Sequence, residues 1–209
     1  MFFVRQKSNQ CGLHAIQNLF KSASVTNEEM HAACEYIHTT TGDEVQNHES
    51  FGGDWSVSAV IAAIVQRGYT VEPAVSSKSE RTWSTTALVE LLEDESFRGM
   101  IVHQPLARHF TCLRPELVDG VRQLFYVDSQ SDGPLRISPR LATRRCLALA
   151  YAWEPYVVKG EEMEYVPAVP AVPMVPMVSM VQKNKEDRRP PEDFMTAWYS
   201  LGKVESKAP

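Results

Sequence analysis

Cys11 stands where a helix begins. The stretch QKSNQCGLHAIQNLF puts Leu13, Ile16, Leu19 and Phe20 on one helical face, and the cysteine opens that helix. A thiol there meets backbone N–H groups that lack intrahelical acceptors, together with the positive end of the macrodipole, and both favour the thiolate. Gln6, five residues upstream, carries a side-chain amide that can swing beside the same sulfur. This amide and the Cys11 N–H are suited to form an oxyanion hole, and Gly12 keeps the approach to the N–H groups open. A nucleophilic cysteine also needs a base from elsewhere in the fold. RHFTCL supplies His109 at the start of a strand, and LFYVDS supplies Asp128 near the end of the next. On adjacent antiparallel strands, Asp128 can accept from one imidazole nitrogen while the other faces Cys11. The chemistry such a set performs is acyl transfer through a thioester.

Each of these residues has a plainer role open to it. A cysteine between apolar neighbours is often a small buried hydrophobe, and Cys34, Cys112 and Cys146, in apolar helix faces or strand interiors, read as structural. His103 competes with His109 for the part of base. Asp128 also suits the start of the turn DSQSDGP. His14 lies one turn from Cys11, but a helix-borne zinc pair needs two further ligands, so neither a metal site nor a cofactor is expected. The joint occurrence of Gln, Cys, His and Asp, each at the edge of an element, favours catalysis over the separate structural roles.

The elements that must position these residues follow from periodicity and capping. Thr26 and Glu29 form a capping box ahead of Met30, Ala33 and Ile37. Asp54 or Ser56 caps a helix through Val60, Ile61 and Ile64, which Gly68 ends. TTALVELLED reads as another helix. The period then changes, and GMIVHQ, HFTCLR and RQLFYVDS read as strands. SPRLATRRCLALAYAW returns to helix, with Ser138 as cap and Pro139 at the first helical position, and PYVVKG closes with a strand. Helices come first and an antiparallel sheet follows, an α+β domain rather than a doubly wound one.

Composition sets the outer bounds. The 209 residues, 44% of them hydrophobic, suffice for one full-sized core plus a tail. A formal net charge of -5 argues against nucleic-acid binding, which calls for a basic face. Four widely spaced cysteines without a CxxC pair argue against structural zinc and against the dense stapling of a small secreted domain. MFFVRQK is too short for a signal peptide, and no apolar run approaches the ~20 residues that span a bilayer. The expectation is an intracellular protein with reduced thiols. The domain boundary is expected near Gly160, so that residues 1–160 are catalytic. Residues 161–190 include VPAVPAVPMVPMV, where proline removes backbone donors and holds its neighbours extended, a linker or strip rather than a helix. Residues 191–209 form a tail in which EDFMTAWYSL is a short possible helix of generic amphipathic kind.

These residues together resemble the Josephin family of papain-like deubiquitinases. QKSNQCGLHAIQNLF resembles its opening, with Gln five residues before the catalytic Cys and His one turn after it. HESFGGDWSVSAVIAAI resembles its glycine–aromatic loop and following helix, RHFTCLR its histidine segment, and LFYVDSQ the segment of its third member, Asn or Asp. The resemblance covers residues 5 to about 160. It implies Cys11 as nucleophile, His109 as base, Asp128 as orienter and Gln6 as oxyanion donor. It also implies a nucleophile helix packed on an antiparallel sheet, ubiquitin and ubiquitinated proteins as partners, and a cytoplasmic or nuclear location. Ubiquitin ends in a glycine pair that demands a narrow channel, and the loop of Gly53 and Trp55 is a candidate wall, although its residues also suit a plain loop and core. The region between Cys34 and Phe51 is shorter than in family members with a long helical hairpin, and PELVDGV reads as an insertion in the turn between the His109 and Asp128 strands. Two rival functions are a papain-like peptidase cutting leader peptides after a double glycine, and a ubiquitin-binding module without turnover.

Overall fold

The computed structural model of the chain describes residues 1–6, 9–50, 53–74, 84–146 and 153–161. The chain divides into one unit, Met1–Ala171, and a second, Val172–Pro209. The Val-Pro tract and the tail, including EDFMTAWYSL, lie outside the described residues, as do residues 147–152 of the helix expected from Ser138 to Trp153; Trp153 itself lies in no helix.

Five helices and an antiparallel sheet make a mixed α+β fold among the described residues. Helix α1 spans Cys11–Phe20 and ends where Lys21 turns left-handed. Helix α2, Asn27–Thr41, starts at the expected capping box, with Thr26 accepting from the Glu29 N–H and Glu29 from the Thr26 N–H. Glu29 also takes two hydrogen bonds from Arg67, each 3.0 Å long, which ties the start of α2 to the end of the next helix. That helix, α3, spans Val57–Gln66 and is capped by Ser56 rather than Asp54. Asp54 instead belongs to a two-residue strand. A hairpin of β1, Glu49–Ser50, and β2, Asp54–Trp55, turns through Gly53 at φ +84° and stands apart from the main sheet.

The main sheet has the order β3-β8-β4-β5-β6-β7. Its strands are β3, Thr70–Pro73, β4, Phe97–Gln104, β5, His109–Val118, β6, Val121–Val127, β7, Leu135–Arg136, and β8, Glu154–Lys159. Helix α4, Thr85–Glu93, precedes β4 and is capped by Ser84, and α5, Pro139–Cys146, begins with Ser138 accepting from the Leu141 N–H. Helix α1 packs against β5 and β4. Ile16, Val60, Ile64, Ile101, Phe110, Cys112 and Val127 join in one buried cluster, so the helical and sheet layers share a core.

PELVDGV is not a lengthened turn. PELV continues β5 to Val118, and Asp119 and Gly120, with φ of 52° and 77°, form a two-residue hairpin turn of the kind that needs two left-handed residues. Pro115 is tolerated inside the strand because β5 pairs with β4 only as far as Leu113; beyond it, the missing N–H costs no ladder bond. The two-residue turn fixes the register of β5 against β6, and with it the relation of His109 to Asp128.

Candidate active site

Helix α1 brings Cys11 to its first turn without a side-chain cap. The N-cap Gln10 sends its Nε2 to Asn27 Oδ1 at 3.1 Å instead, which leaves the first N–H groups of α1 to other acceptors. Gly12 serves packing: a Cβ at that position would stand 2.9 Å from Val60 Cγ2 and 3.5 Å from Phe110 Cδ2. Only a glycine lets α1 approach α3 and β5 this closely.

His109 is the first residue of β5, and Asp128 follows the last residue of β6. Their side chains meet through His109 Nε2 and Asp128 Oδ1 at 2.9 Å. Cys11 is near enough to the same imidazole to favour its charged form. The Cys11 sulfur also lies 3.8 Å from the carbonyl oxygen of Arg108, a residue held at φ 49° immediately before His109. Burial disfavours the imidazolium, but the hydrogen bonds and charges of Asp128 and Cys11 outweigh it and raise the His109 pKa to about 9. The ring is therefore held in its charged form at neutral pH.

Asp128 both meets the imidazole and opens the turn that follows β6. Its Oδ1 accepts from His109 and from the Gln130 N–H at 2.9 Å, while its carbonyl accepts from the Ser131 N–H at 3.0 Å. The turn that follows β6 therefore locks the carboxylate in place for the imidazole. His103 belongs to a different cluster. Its Nδ1 meets Glu154 Oε2 at 2.9 Å, and its ring stacks on Phe110.

Gln6 is fixed at the same end of β6. Its backbone N–H donates to the Ser129 carbonyl at 2.8 Å, and its Oε1 accepts from the Ser129 hydroxyl at 3.0 Å. The segment before it is tied to α1, because Val4 exchanges two hydrogen bonds with the Asn18 side chain and buried Arg114 bonds to both the Phe2 and Asn18 carbonyls. The N-terminal segment thus runs between α1 and the end of β6, which Asp128 follows.

Gly53 sits against the Gln10 side chain, where a Cβ would meet Cγ at 2.8 Å, so the hairpin turn lies beside the start of α1. Trp55 lies beneath, 3% exposed, with its ring edge-on to His31. Of the expected pair, Gly53 is therefore at the site's margin and Trp55 in the core behind it. Cys11 is 4% exposed, His109 7% and Asp128 7%. Arg108 and Asp54 form an ion pair that joins the loop before His109 to this hairpin. The other described thiols are poor nucleophiles: burial pushes Cys34 up to about 11 and Cys112 up to about 12. His14 bonds to Gln17, and among the described residues no group of three His, Cys, Asp or Glu is placed to hold a metal ion. Nor is any described helix long and apolar enough to cross a membrane.

Two contributors escape the sequence. Arg108 offers no advance sign of its left-handed backbone. Ser129, 2% exposed, looks like one more polar residue in a turn-rich stretch.

No protein-family model matches this chain, and no curated protein matches it.

Proposed function

We propose that the protein is a cysteine isopeptidase of papain-like, Josephin type that removes ubiquitin from conjugates. The observation that carries the catalytic part is the His109–Asp128 pair at 2.9 Å, with Cys11 near enough to favour the charged form of the same ring. The resemblance of residues 5 to about 160 to the Josephin segments carries the substrate class.

The reaction begins with the Cys11 thiolate attacking the carbonyl carbon of ubiquitin's C-terminal glycine. The electron pair of the carbonyl moves to its oxygen, where the Cys11 N–H and the Gln6 amide accept the developing charge. As the intermediate collapses, the imidazolium of His109 gives its proton to the departing lysine amine and becomes neutral. The neutral ring then takes a proton from water, whose oxygen attacks the thioester carbon; the C–S bond breaks to restore the thiolate, and ubiquitin leaves as a carboxylate once the second water proton passes to solvent. Asp128 holds the ring in one orientation and favours its charged form. The backbone at Gly53 offers a wall for the glycine pair, with Trp55 as its support.

Release of coumarin from ubiquitin amidated with 7-amino-4-methylcoumarin tests the reading. Turnover by the wild-type chain and none by Cys11→Ser supports it. Turnover of a double-glycine leader peptide in place of the ubiquitin amide favours the leader-peptidase rival, and ubiquitin binding without turnover favours the silent module.

A further inference from the structure

We propose that Ser129 is a positioning residue for the oxyanion donor, its hydroxyl holding the Gln6 amide so that the N–H groups, and not the carbonyl oxygen, face the reacting carbon. The inference rests on Gln6 acting as that donor, and it explains a bond that the reaction scheme otherwise leaves unused. A glutamine amide has an accepting end and a donating end of nearly equal shape, and only the donating end stabilises an oxyanion. On a flexible side chain the two ends exchange by rotation of the terminal torsion. The Ser129 hydroxyl donates to Gln6 Oε1 at 3.0 Å, and the Ser129 carbonyl takes the Gln6 backbone N–H at 2.8 Å. One residue therefore grips both the main chain and the accepting end of the side chain. Among the described residues no acceptor engages Gln6 Nε2, so its N–H groups are the end left for a ligand.

Ser129 is also the residue after Asp128. A single strand end thus sets the orientation of the imidazole through one side chain and the polarity of the oxyanion donor through the next. Ser129 is 2% exposed, so water does not replace its hydroxyl readily once the turn is closed.

Acylation and alkylation of Cys11 separate this role from a structural one. Acyl transfer from p-nitrophenyl acetate passes through an oxyanion, and alkylation by iodoacetamide does not. Both reagents act without ubiquitin, so an error in the assigned substrate leaves the measurement intact and appears separately as an inert ubiquitin amide. With the Cys11→Ala background subtracted, Ser129→Ala should slow p-nitrophenolate release about tenfold, part of the 10²–10³ that loss of an oxyanion donor costs. Iodoacetamide should react within about twofold of the wild-type rate, since the thiol and His109 are untouched. In a Gln6→Ala background the Ser129→Ala change should add almost nothing to the loss, the mark of two residues acting as a unit. Ser129→Thr, which keeps the hydroxyl, should recover most of the acylation rate. Wild-type acylation in Ser129→Ala overturns the proposal. So does equal slowing of both reagents, or a Ser129 effect that persists without Gln6. A wild-type chain no faster than Cys11→Ala with the acetate would overturn it as well.

Discussion

His109 is pulled in opposite directions, and the balance decides the chemistry. Burial disfavours its charge, while Asp128 and Cys11 favour it and win, so that the ring protonates with a pKa of about 9 instead of 6.5. Loss of the imidazolium should therefore bring kcat/KM down above about pH 9. Asp128→Ala removes the principal counterweight to burial, so the alkaline limb should move to lower pH, read from full pH profiles of both proteins. Asp128→Asn should lose less rate than Asp128→Ala, because the amide oxygen still orients the ring. The same raised value has a sign in stability: the contribution of the pair is fully present below about pH 6.5 and fades as pH climbs through about 9. His109→Ala should lower kcat by about 10²–10⁴, the worth of a general base. His103→Ala should change kcat little, since His103 serves Glu154 and Phe110 instead. Steady-state kinetics of the two variants side by side check this. The element edges at which Cys11, His109 and Asp128 stand were legible in the chain, because the start of α1 and the ends of β5 and β6 are marked by local changes of period. Ser129 was not, because what matters there is which atom its hydroxyl meets, and DSQSDGP already explains a serine as turn chemistry.

At the scale of elements, the site depends on how closely α1 lies against α3 and β5. Gly12→Ala would bring a Cβ to 2.9 Å from Val60 Cγ2, so that one of the two must shift, and a shift of the helix carries Cys11 with it. The expected result is a fall in kcat/KM of about tenfold, since small misplacements of reacting groups are costly. Removing the obstructing methyls with Val60→Ala in the Gly12→Ala protein should restore part of the rate, although Val60→Ala alone lowers Tm through the cavity it leaves. Absence of any rescue would place the effect of Gly12 elsewhere. Capping and period made α1, α2, α3 and the central strands readable, because those signals are local: Thr26 with Glu29, Ser56 before Val57, Ser138 before Pro139. Strand β3 was not readable. TVEP is short, ends in proline, and becomes a strand only when β8 arrives from far along the chain to pair Thr70 with Lys159. PELV misled for a related reason, as Pro115 signals a strand end unless the neighbouring strand is known to have stopped.

For the whole molecule, the sheet order sets what can be removed. Strand β8 lies between β3 and β4, so the last described strand in sequence is internal to the sheet. Gly160 is tied in as well, through its N–H to Ser96 and its carbonyl to Arg98. A chain ending at Glu161 should therefore unfold cooperatively in urea and keep its rate on the ubiquitin coumarin amide, while one ending at Ala152 should not fold. Loss of cooperative unfolding on truncation at Glu161 would show that the Val-Pro tract contributes to the domain. Whether this fold presents Cys11 as a nucleophile to the C-terminus of ubiquitin is read from reaction with ubiquitin carrying a C-terminal vinyl methyl ester, with the site of attachment mapped by peptide mass spectrometry. One ubiquitin per chain is expected, attached at Cys11, with none on Cys34 or Cys112 and none at all in Cys11→Ala. Attachment at another cysteine, or labelling that survives Cys11→Ala, would contradict it.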